Sequence, residues 1–162
     1  MPPLASALPA VVHCPMPQIT VPSPFGPLTI IETGGLLRRV DWCAAEPDPS
    51  PLLERAAHQI AAYFAGDRGG FDLPFDWGEG LNARVRRAMA AIPHGETRTY
   101  GQIARQVGAP AQAVGQACGA NPLPILIPCH RVVGTNGFGG FSAPGGVETK
   151  AGLLRLEGAL LL

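Results

Sequence analysis

The chain has 162 residues, enough for one medium domain or two small ones, and 46% of them are hydrophobic, which argues against a disordered protein. Its apolar stretches, such as 123–127, are too short to span a bilayer, so we expect no membrane association. The net charge is zero, but residues 1–78 carry four Arg/Lys and eight Asp/Glu, whereas residues 79–162 carry eight and four. The halves are therefore −4 and +4, and a basic half is compatible with a polyanionic partner, although solvated surfaces often show a similar imbalance.

The cysteines indicate reduced thiols rather than a disulfide or zinc framework. Cys14, Cys43, Cys118 and Cys129 form no C-x-x-C pair and have no zinc-finger spacing. The N-terminus lacks the basic flank and apolar run of a secretory signal, so we expect a cytoplasmic protein. His13 beside Cys14 is a candidate metal-binding pair, but no clear second pair accompanies it. We predict neither a metal nor another cofactor.

The first half of the chain predicts a tail followed by a small α/β unit. Residues 1–18 contain five prolines, which favour an extended, poorly ordered segment. Apolar and β-branched runs at 19–21, 28–31 and 36–42, separated by Gly and Pro, predict an antiparallel meander. A helix is predicted over 51–65, with Ser50 as its N-cap. We place the domain boundary near residue 78.

The second half predicts a helical unit. Apolar spacing indicates an amphipathic helix over 81–92, and two further helices over 97–107 and 111–119 are separated by a Gly-Ala-Pro turn. Two short helices joined in this way are typical of a helix-turn-helix. The third helix has mostly small side chains, which permit close approach either to another helix or to a DNA groove.

The stretch 121–133 contains the residues with the clearest chemistry. A short apolar strand framed by prolines is predicted to present Cys129, His130 and Arg131 at its end. A thiol becomes a strong nucleophile when a base or positive charge favours the thiolate, and His130 and Arg131 are candidates for that role. Neighbours on an extended chain point to opposite sides, so a water would have to bridge Cys129 and His130. A buried, inert cysteine explains the pattern equally well on these grounds.

Resemblance to a known family separates these two interpretations. The run Pro128-Cys129-His130-Arg131, with its apolar flanks, is similar to the active-site signature of the O6-alkylguanine-DNA alkyltransferase (methylated-DNA–protein-cysteine S-methyltransferase) family. The likeness covers roughly residues 19–158 and is dense from about residue 91. It is carried by 92–104, 113–115, 121–122, Lys150 and 153–158, and more loosely by 23–28 and 63–66.

The resemblance implies both a fold and an activity. It implies a ribonuclease-H-like α/β amino-terminal domain at 19–78 and a winged-helix-type (helix-turn-helix) DNA-binding domain at 79–162. The implied activity is stoichiometric, self-inactivating transfer of the alkyl group from O6-alkylguanine in double-stranded DNA to Cys129, with O4-alkylthymine as a further candidate lesion. The lesion would be reached by base flipping from the minor groove. We expect a monomer in the cytoplasm, associated with the nucleoid.

The resemblance also implies roles for individual residues. Cys129 would accept the alkyl group, His130 would take its proton through a water, and Glu157 would orient His130. Tyr100 would donate a proton or hydrogen bond to the guanine, and Asn121 would brace the turn. The structural alternatives are a surface carboxylate for Glu157, a core aromatic for Tyr100 and an ordinary Asn-Pro turn for Asn121. The residues expected to contact DNA or the base are Gln112, Ala113, Arg131, Val132, Phe141, Ser142 and Lys150.

Two positions depart from the family pattern. Gln112 stands where most members have an arginine that fills the gap left by the flipped base. Phe141 stands where a tyrosine is common, which keeps the ring and loses a hydroxyl.

Three other functions are compatible with parts of the sequence. One is a lesion-binding sensor of the alkyltransferase-like kind, although such proteins usually lack the acceptor cysteine. Another is a winged-helix regulator that senses alkylation at Cys129, but no separate effector region is evident. The third is a cysteine hydrolase, for which nothing in the sequence specifies an oxyanion hole.

Overall fold

The computed structural model describes residues 16–160, so His13, Cys14 and most of the proposed tail lie outside the described residues. The helices and strands form two unequal groups. In chain order they are β1 (Gln18–Val21), β2 (Leu28–Thr33), β3 (Leu36–Asp41), α1 (Pro51–Phe64), α2 (Gly80–Ala90), β4 (Arg98–Thr99), α3 (Tyr100–Val107), α4 (Ala111–Gly119), a 3-10 helix (Cys129–Arg131), β5 (Val132–Val133) and α5 (Val147–Leu156).

The first group is an antiparallel sheet covered by one helix, which confirms the predicted meander. The strand order is β1-β2-β3, and the central strand is buried from Leu28 to Ile31. Helix α1 packs its apolar stripe on β1 and β2. Ser50 caps this helix as predicted, because its hydroxyl accepts a hydrogen bond from the Leu53 amide at 3.2 Å.

The second group packs α2, α3 and α4 against one another, with α3 and α4 at the predicted helix-turn-helix position. Helix α3 begins at Tyr100 rather than at residue 97, because Arg98 and Thr99 pair with β5 in a short parallel ladder. Thr99 then caps α3, in a reciprocal capping box with Gln102. Gly108 ends α3 in the left-handed conformation, at φ 71°.

The strand predicted at 123–127 is wrong: this segment is a series of tight turns. Prolines remove amide donors that a β-ladder would need. The Asn121 side chain supplies bonds instead, accepting from the Leu123 amide at 3.1 Å and donating to the Ile127 carbonyl at 2.9 Å. Ile125 has φ 71°, which is unfavourable for a β-branched residue and is held by its burial in the core.

The two groups share one core instead of meeting through a flexible link. The Val40 amide donates to the Pro122 carbonyl at 2.9 Å, so strand β3 is bonded directly to the turn segment. The ring of Trp42 packs edge-on against that of Phe141, with centroids 6.4 Å apart. Within residues 16–160, no helix has the length and apolar character needed to cross a membrane.

Candidate active site

A cavity of about 390 Å³ opens beside the helix-turn-helix, and we call it the Cys129 cavity. It lies where helix α3 begins, where α4 ends and where the loop before α5 passes. Its volume falls within the range of pockets that bind small organic molecules. The lining consists of Tyr100, Gly115, Cys118, Gly119, Asn121, Pro124, Cys129 and residues 139–142.

Cys129 is the first residue of the 3-10 helix and is partly exposed to this cavity. Burial raises the pKa of its thiol, although a hydrogen bond from Asn121 and the Lys150 ammonium oppose that effect. The resting group is therefore a thiol rather than a thiolate. A base must remove its proton before the sulfur can react efficiently.

His130 is the candidate base, and its side chain is completely buried. Its Nε2 lies 2.7 Å from Glu157 Oε2. Burial would raise the pKa of Glu157, but hydrogen bonds from His130, Arg131 and Tyr63 hold that pKa far below its usual range. The carboxylate is therefore ionised and can only accept hydrogen bonds. Nε2 therefore carries the hydrogen, and Nδ1 is the nitrogen with a free lone pair. That Nδ1 is buried and has no hydrogen-bond partner within residues 16–160.

Burial also lowers the pKa of His130, against the opposing influence of the Glu157 carboxylate. The imidazole is thus neutral before reaction. A neutral imidazole oriented by a carboxylate, on the residue next to a cavity thiol, is compatible with nucleophilic cysteine chemistry.

Arg131 is nearly buried, although the resemblance led us to expect it to contact DNA or the base. Its guanidinium is nearly buried, with Nε 2.7 Å from Glu157 Oε1 and Nη2 3.0 Å from Glu157 Oε2. Its Nη1 donates to the Ile92 carbonyl at 2.7 Å. This bidentate pair neutralises the Glu157 carboxylate inside the protein.

Lys150 and Val132 are also internal, and a hydrogen bond joins them. The Lys150 ammonium donates to the Val132 carbonyl at 2.7 Å and to the Gly140 carbonyl at 3.3 Å, and both residues are inaccessible to solvent. The Lys150 ammonium nitrogen lies 5.7 Å from the centre of the Tyr100 ring. Lys150 thus ties the cavity loop to β5, and its buried ammonium is not exposed for contact with a DNA phosphate.

The remaining predicted contacts are accessible. Phe141 and Ser142 line the Cys129 cavity, and Gln112 is exposed in the first turn of α4, next to the half-buried Ala113. Burial, followed by the charges of Cys118 and Cys129, raises the pKa of Tyr100, so its hydroxyl remains a donor. A Cβ on Gly139 would lie 2.6 Å from that hydroxyl oxygen, so only glycine permits this close approach.

Sequence reasoning missed Tyr63 as a member of the site. Its hydroxyl donates to Glu157 Oε2 at 2.6 Å, across 94 positions of the chain. The only sequence signal was the loose family likeness at 63–66, because a buried tyrosine on an amphipathic helix looks like any core aromatic. Cys118 was noted only as a second thiol. It lines the same cavity, where burial and the nearby Cys129 raise the pKa of Cys118 to about 12.

A cavity thiol with a histidine–carboxylate pair, placed against a helix-turn-helix, defines a nucleophilic group-transfer site in a protein with a nucleic-acid-binding motif. Family models agree with this class. Residues 17–77 match the ribonuclease-like domain of 6-O-methylguanine DNA methyltransferase. Residues 80–159 match the DNA binding domain of 6-O-methylguanine DNA methyltransferase.

Individual relatives cover most of the chain. A methylated-DNA–protein-cysteine methyltransferase of Mycobacterium tuberculosis is 43% identical over 154 residues, covering 85% of this chain and 90% of that protein. The constitutive methylated-DNA–protein-cysteine methyltransferase of Bacillus subtilis is 39% identical, covering 85% and 93%. The solved M. tuberculosis OGT in complex with DNA has a TM-score of 0.75 at 42% identity, covering 86% of this chain and 91% of that one.

The chain therefore belongs to the 6-O-methylguanine DNA methyltransferase family. This confirms the predicted fold class, an α/β ribonuclease-like amino-terminal domain followed by a DNA-binding domain. The roles of the individual site residues stay predictions.

Proposed function

We propose that this protein repairs DNA directly, by moving the alkyl group of O6-alkylguanine onto Sγ of Cys129. The single observation that carries the proposal is the fully buried His130, hydrogen-bonded to Glu157 at 2.7 Å and next in the chain to Cys129, whose thiol lies in the wall of the Cys129 cavity. The curated relatives are named for transfer from methylated DNA to a protein cysteine.

The reaction begins with removal of the thiol proton. A water between Cys129 and His130 relays that proton to Nδ1, the nitrogen with the free lone pair, and Glu157 stabilises the resulting imidazolium. The thiolate then attacks the alkyl carbon, and a C–S bond forms as the C–O6 bond breaks. Its electron pair goes to guanine, which takes a proton or hydrogen bond from Tyr100. The thioether is stable, so each molecule reacts once.

The substrate is double-stranded DNA that carries the lesion. The O6 atom cannot reach the thiol while the base is stacked, so the nucleotide flips into the Cys129 cavity. Helix α4 presents Gln112 and Ala113 to the groove, and its small residues Gly115 and Gly119 line the cavity mouth. We propose that the protein acts as a monomer, in the cytoplasm and on the nucleoid, with O4-alkylthymine as a second lesion.

A lesion sensor is the less favoured function. Recognition needs only the helix-turn-helix and a cavity, whereas the thiol, the oriented imidazole and the paired carboxylate serve bond-breaking chemistry. An alkylation-sensing regulator would use the same thiol chemistry but would also need an effector region, and the two matched family domains already occupy residues 17–77 and 80–159.

The test is intact mass spectrometry after incubation with duplex DNA containing O6-methylguanine. We expect a gain of one methylene, located on Cys129 by peptide mapping. Cys129→Ser should bind the duplex but gain no mass, because a serine hydroxyl is a much poorer nucleophile at neutral pH. Cys43→Ser, which removes an exposed thiol, is the matched control and should react fully.

Two results would contradict the proposal. Unchanged mass in the unaltered protein with retained lesion binding would indicate a sensor. Methylation that persists in Cys129→Ser and disappears in Cys118→Ser would make Cys118 the acceptor.

A further inference from the structure

The Tyr63 hydroxyl is the contribution of the amino-terminal domain to the buried cluster formed by Glu157, His130 and Arg131. It donates to Glu157 Oε2 at 2.6 Å, and the same oxygen takes hydrogen bonds from His130 at 2.7 Å and from Arg131 Nη2 at 3.0 Å. Tyr63 lies on α1, whereas the other three residues belong to the DNA-binding domain. One carboxylate oxygen is thus shared between the two domains.

We propose that Tyr63 is a positioning residue through which the amino-terminal domain sets how readily His130 accepts a proton during alkyl transfer. The inference rests on the proposed function in one respect, that His130 is the base for Cys129. It assigns to the ribonuclease-like domain a direct influence on the chemistry of the other domain.

The physical reason is competition for the lone pairs of one oxygen. A hydrogen bond from Tyr63 draws electron density from Oε2 and weakens its attraction for the proton on His130 Nε2. The hydroxyl cannot turn away, because the Tyr63 ring is buried and packs on Phe71 and His94, with centroids 5.7 and 6.0 Å distant. Burial and the Glu157 charge raise the pKa of Tyr63 well above its usual range, so it donates at every physiological pH.

Other charged groups also act on His130. Glu157 favours its protonated form, while the Arg131 guanidinium and the Lys150 ammonium disfavour it. His94 lies on the far side of the Tyr63 ring, and burial lowers the pKa of His94, which leaves it neutral near pH 7. Tyr63 differs from these groups because it carries no charge and can be altered by removing a single oxygen.

The deciding variant is Tyr63→Phe, which keeps the ring and removes the donor. Nuclear magnetic resonance titration of His130 should show its pKa raised by about half a unit or more, because Oε2 regains electron density. The single-turnover rate with free O6-benzylguanine, plotted against pH, should have the midpoint of its acid limb displaced to higher pH by the same amount. The variant should therefore be slower on the acid limb, around and below the His130 midpoint, and match the unaltered protein on the alkaline plateau.

Thr29→Val is the matched control. It removes another part-buried hydroxyl of the amino-terminal domain, bonded at 2.6 Å to the Cys43 carbonyl. This variant should change neither the His130 titration nor the pH profile, even if it lowers thermal stability. A purely structural role for Tyr63 would likewise reduce stability, or the rate at all pH values, without moving the midpoint.

A second measurement needs no variant. The chain has two tyrosines, so the ¹³Cζ signals of Tyr63 and Tyr100 can be assigned and followed with pH. The Tyr63 signal should inflect at the midpoint of His130, through their shared oxygen. An unchanged His130 midpoint in Tyr63→Phe, or a Tyr63 signal that does not inflect at the His130 midpoint, would overturn the inference. Neither titration involves alkyl transfer, so failure of the proposed function would show separately, as a missing mass gain.

Discussion

At the scale of single residues, the site depends on Glu157, the C-cap of α5. A carboxylate without solvent contact is costly unless its lone pairs are fully used. Here Arg131 supplies a bidentate ion pair, and His130 and Tyr63 supply one hydrogen bond each. The same contacts that make the buried charge tolerable also orient the imidazole, so we predict that stability and reactivity both depend on Glu157.

We predict that Glu157→Gln slows alkyl transfer by about 100-fold or more, the usual contribution of a general base. An amide cannot stabilise the imidazolium, so the pKa of His130 should fall further. Sequence reasoning alone suggests that the fold would be undisturbed. The structure instead predicts a loss of about 3–5 kcal/mol in unfolding free energy, because the Arg131 guanidinium is left buried without its partner. Single-turnover kinetics and urea unfolding measure the two effects.

Glu96→Gln is the control for this prediction. Glu96 forms an exposed ion pair with Arg98 at 3.3 Å, a kind of contact that contributes at most about 1 kcal/mol. The control should retain its rate and nearly all of its stability. A Glu157→Gln protein with an unchanged transfer rate would demote Glu157 to a structural residue.

At the scale of elements, helix α4 presents different chemistry on its different sides. Val114 and Ala117 face the core, whereas Gly115, Cys118 and Gly119 border the Cys129 cavity. Apart from Gln112 and Gln116, the exposed residues of α4 are Ala and Gly, which permit close approach to a groove. Gln112 is the longest side chain of the first turn, which makes it the residue available to fill the space left by a flipped base.

We therefore predict that Gln112→Arg accelerates repair of duplex DNA but leaves reaction with free O6-benzylguanine unchanged. Arginine offers a planar cation for both the orphaned base and nearby phosphates. Unstacking a base costs a few kcal/mol, so a stronger contact in the gap should be visible in the rate. Because Gln112 is exposed, the longer side chain should fit without a clash. The measurement is a single-turnover rate on each substrate.

Gln116→Arg is the matched control, since it adds the same charge to an exposed position one turn further along α4. It should tighten DNA binding without a specific gain in the duplex repair rate. Equal effects of Gln112→Arg on duplex and free base would instead place residue 112 in the cavity or in the stability of the helix.

At the scale of the whole molecule, the charge asymmetry is real but smaller at the surface than the residue count implies. Three of the eight basic residues in the second half, namely Arg86, Arg131 and Lys150, are buried. Arg84, Arg87 and Arg105 are exposed on α2 and α3. The exposed arginine of the helix-turn-helix, Arg105 on α3, is thus better placed for phosphates than the residues assigned from the signature.

DNA binding should accordingly be salt-dependent and weakly sequence-specific, because phosphate contacts release counterions. Arg105→Gln should weaken binding equally across sequences and make the slope of log K against log salt shallower by about one phosphate contact. Fluorescence anisotropy across a salt series measures this. Arg38→Gln, an exposed arginine of the sheet domain, should leave the slope unchanged. A binding constant independent of salt would contradict the electrostatic account.

Local rules were sufficient for much of the fold. The meander, the Ser50-capped helix and the positions of α3 and α4 depend on alternation, capping and glycine placement within a few residues. The candidate nucleophile and its neighbouring base were predicted from the family resemblance, because the local pattern fitted an inert buried cysteine equally well. The predicted strand at 123–127 failed because prolines and an asparagine side chain replaced the ladder with turns.

The tertiary structure decided which polar and charged groups are buried and which are accessible. The sequence by itself determined the family and the order of its two domains, and it predicted the pairing of Cys129 with His130. It did not reveal that Arg131 and Lys150 are buried cations, or that Tyr63 reaches Glu157 across 94 positions. Burial and long-range hydrogen bonds depend on how distant segments pack together, and no local pattern of side chains records that packing.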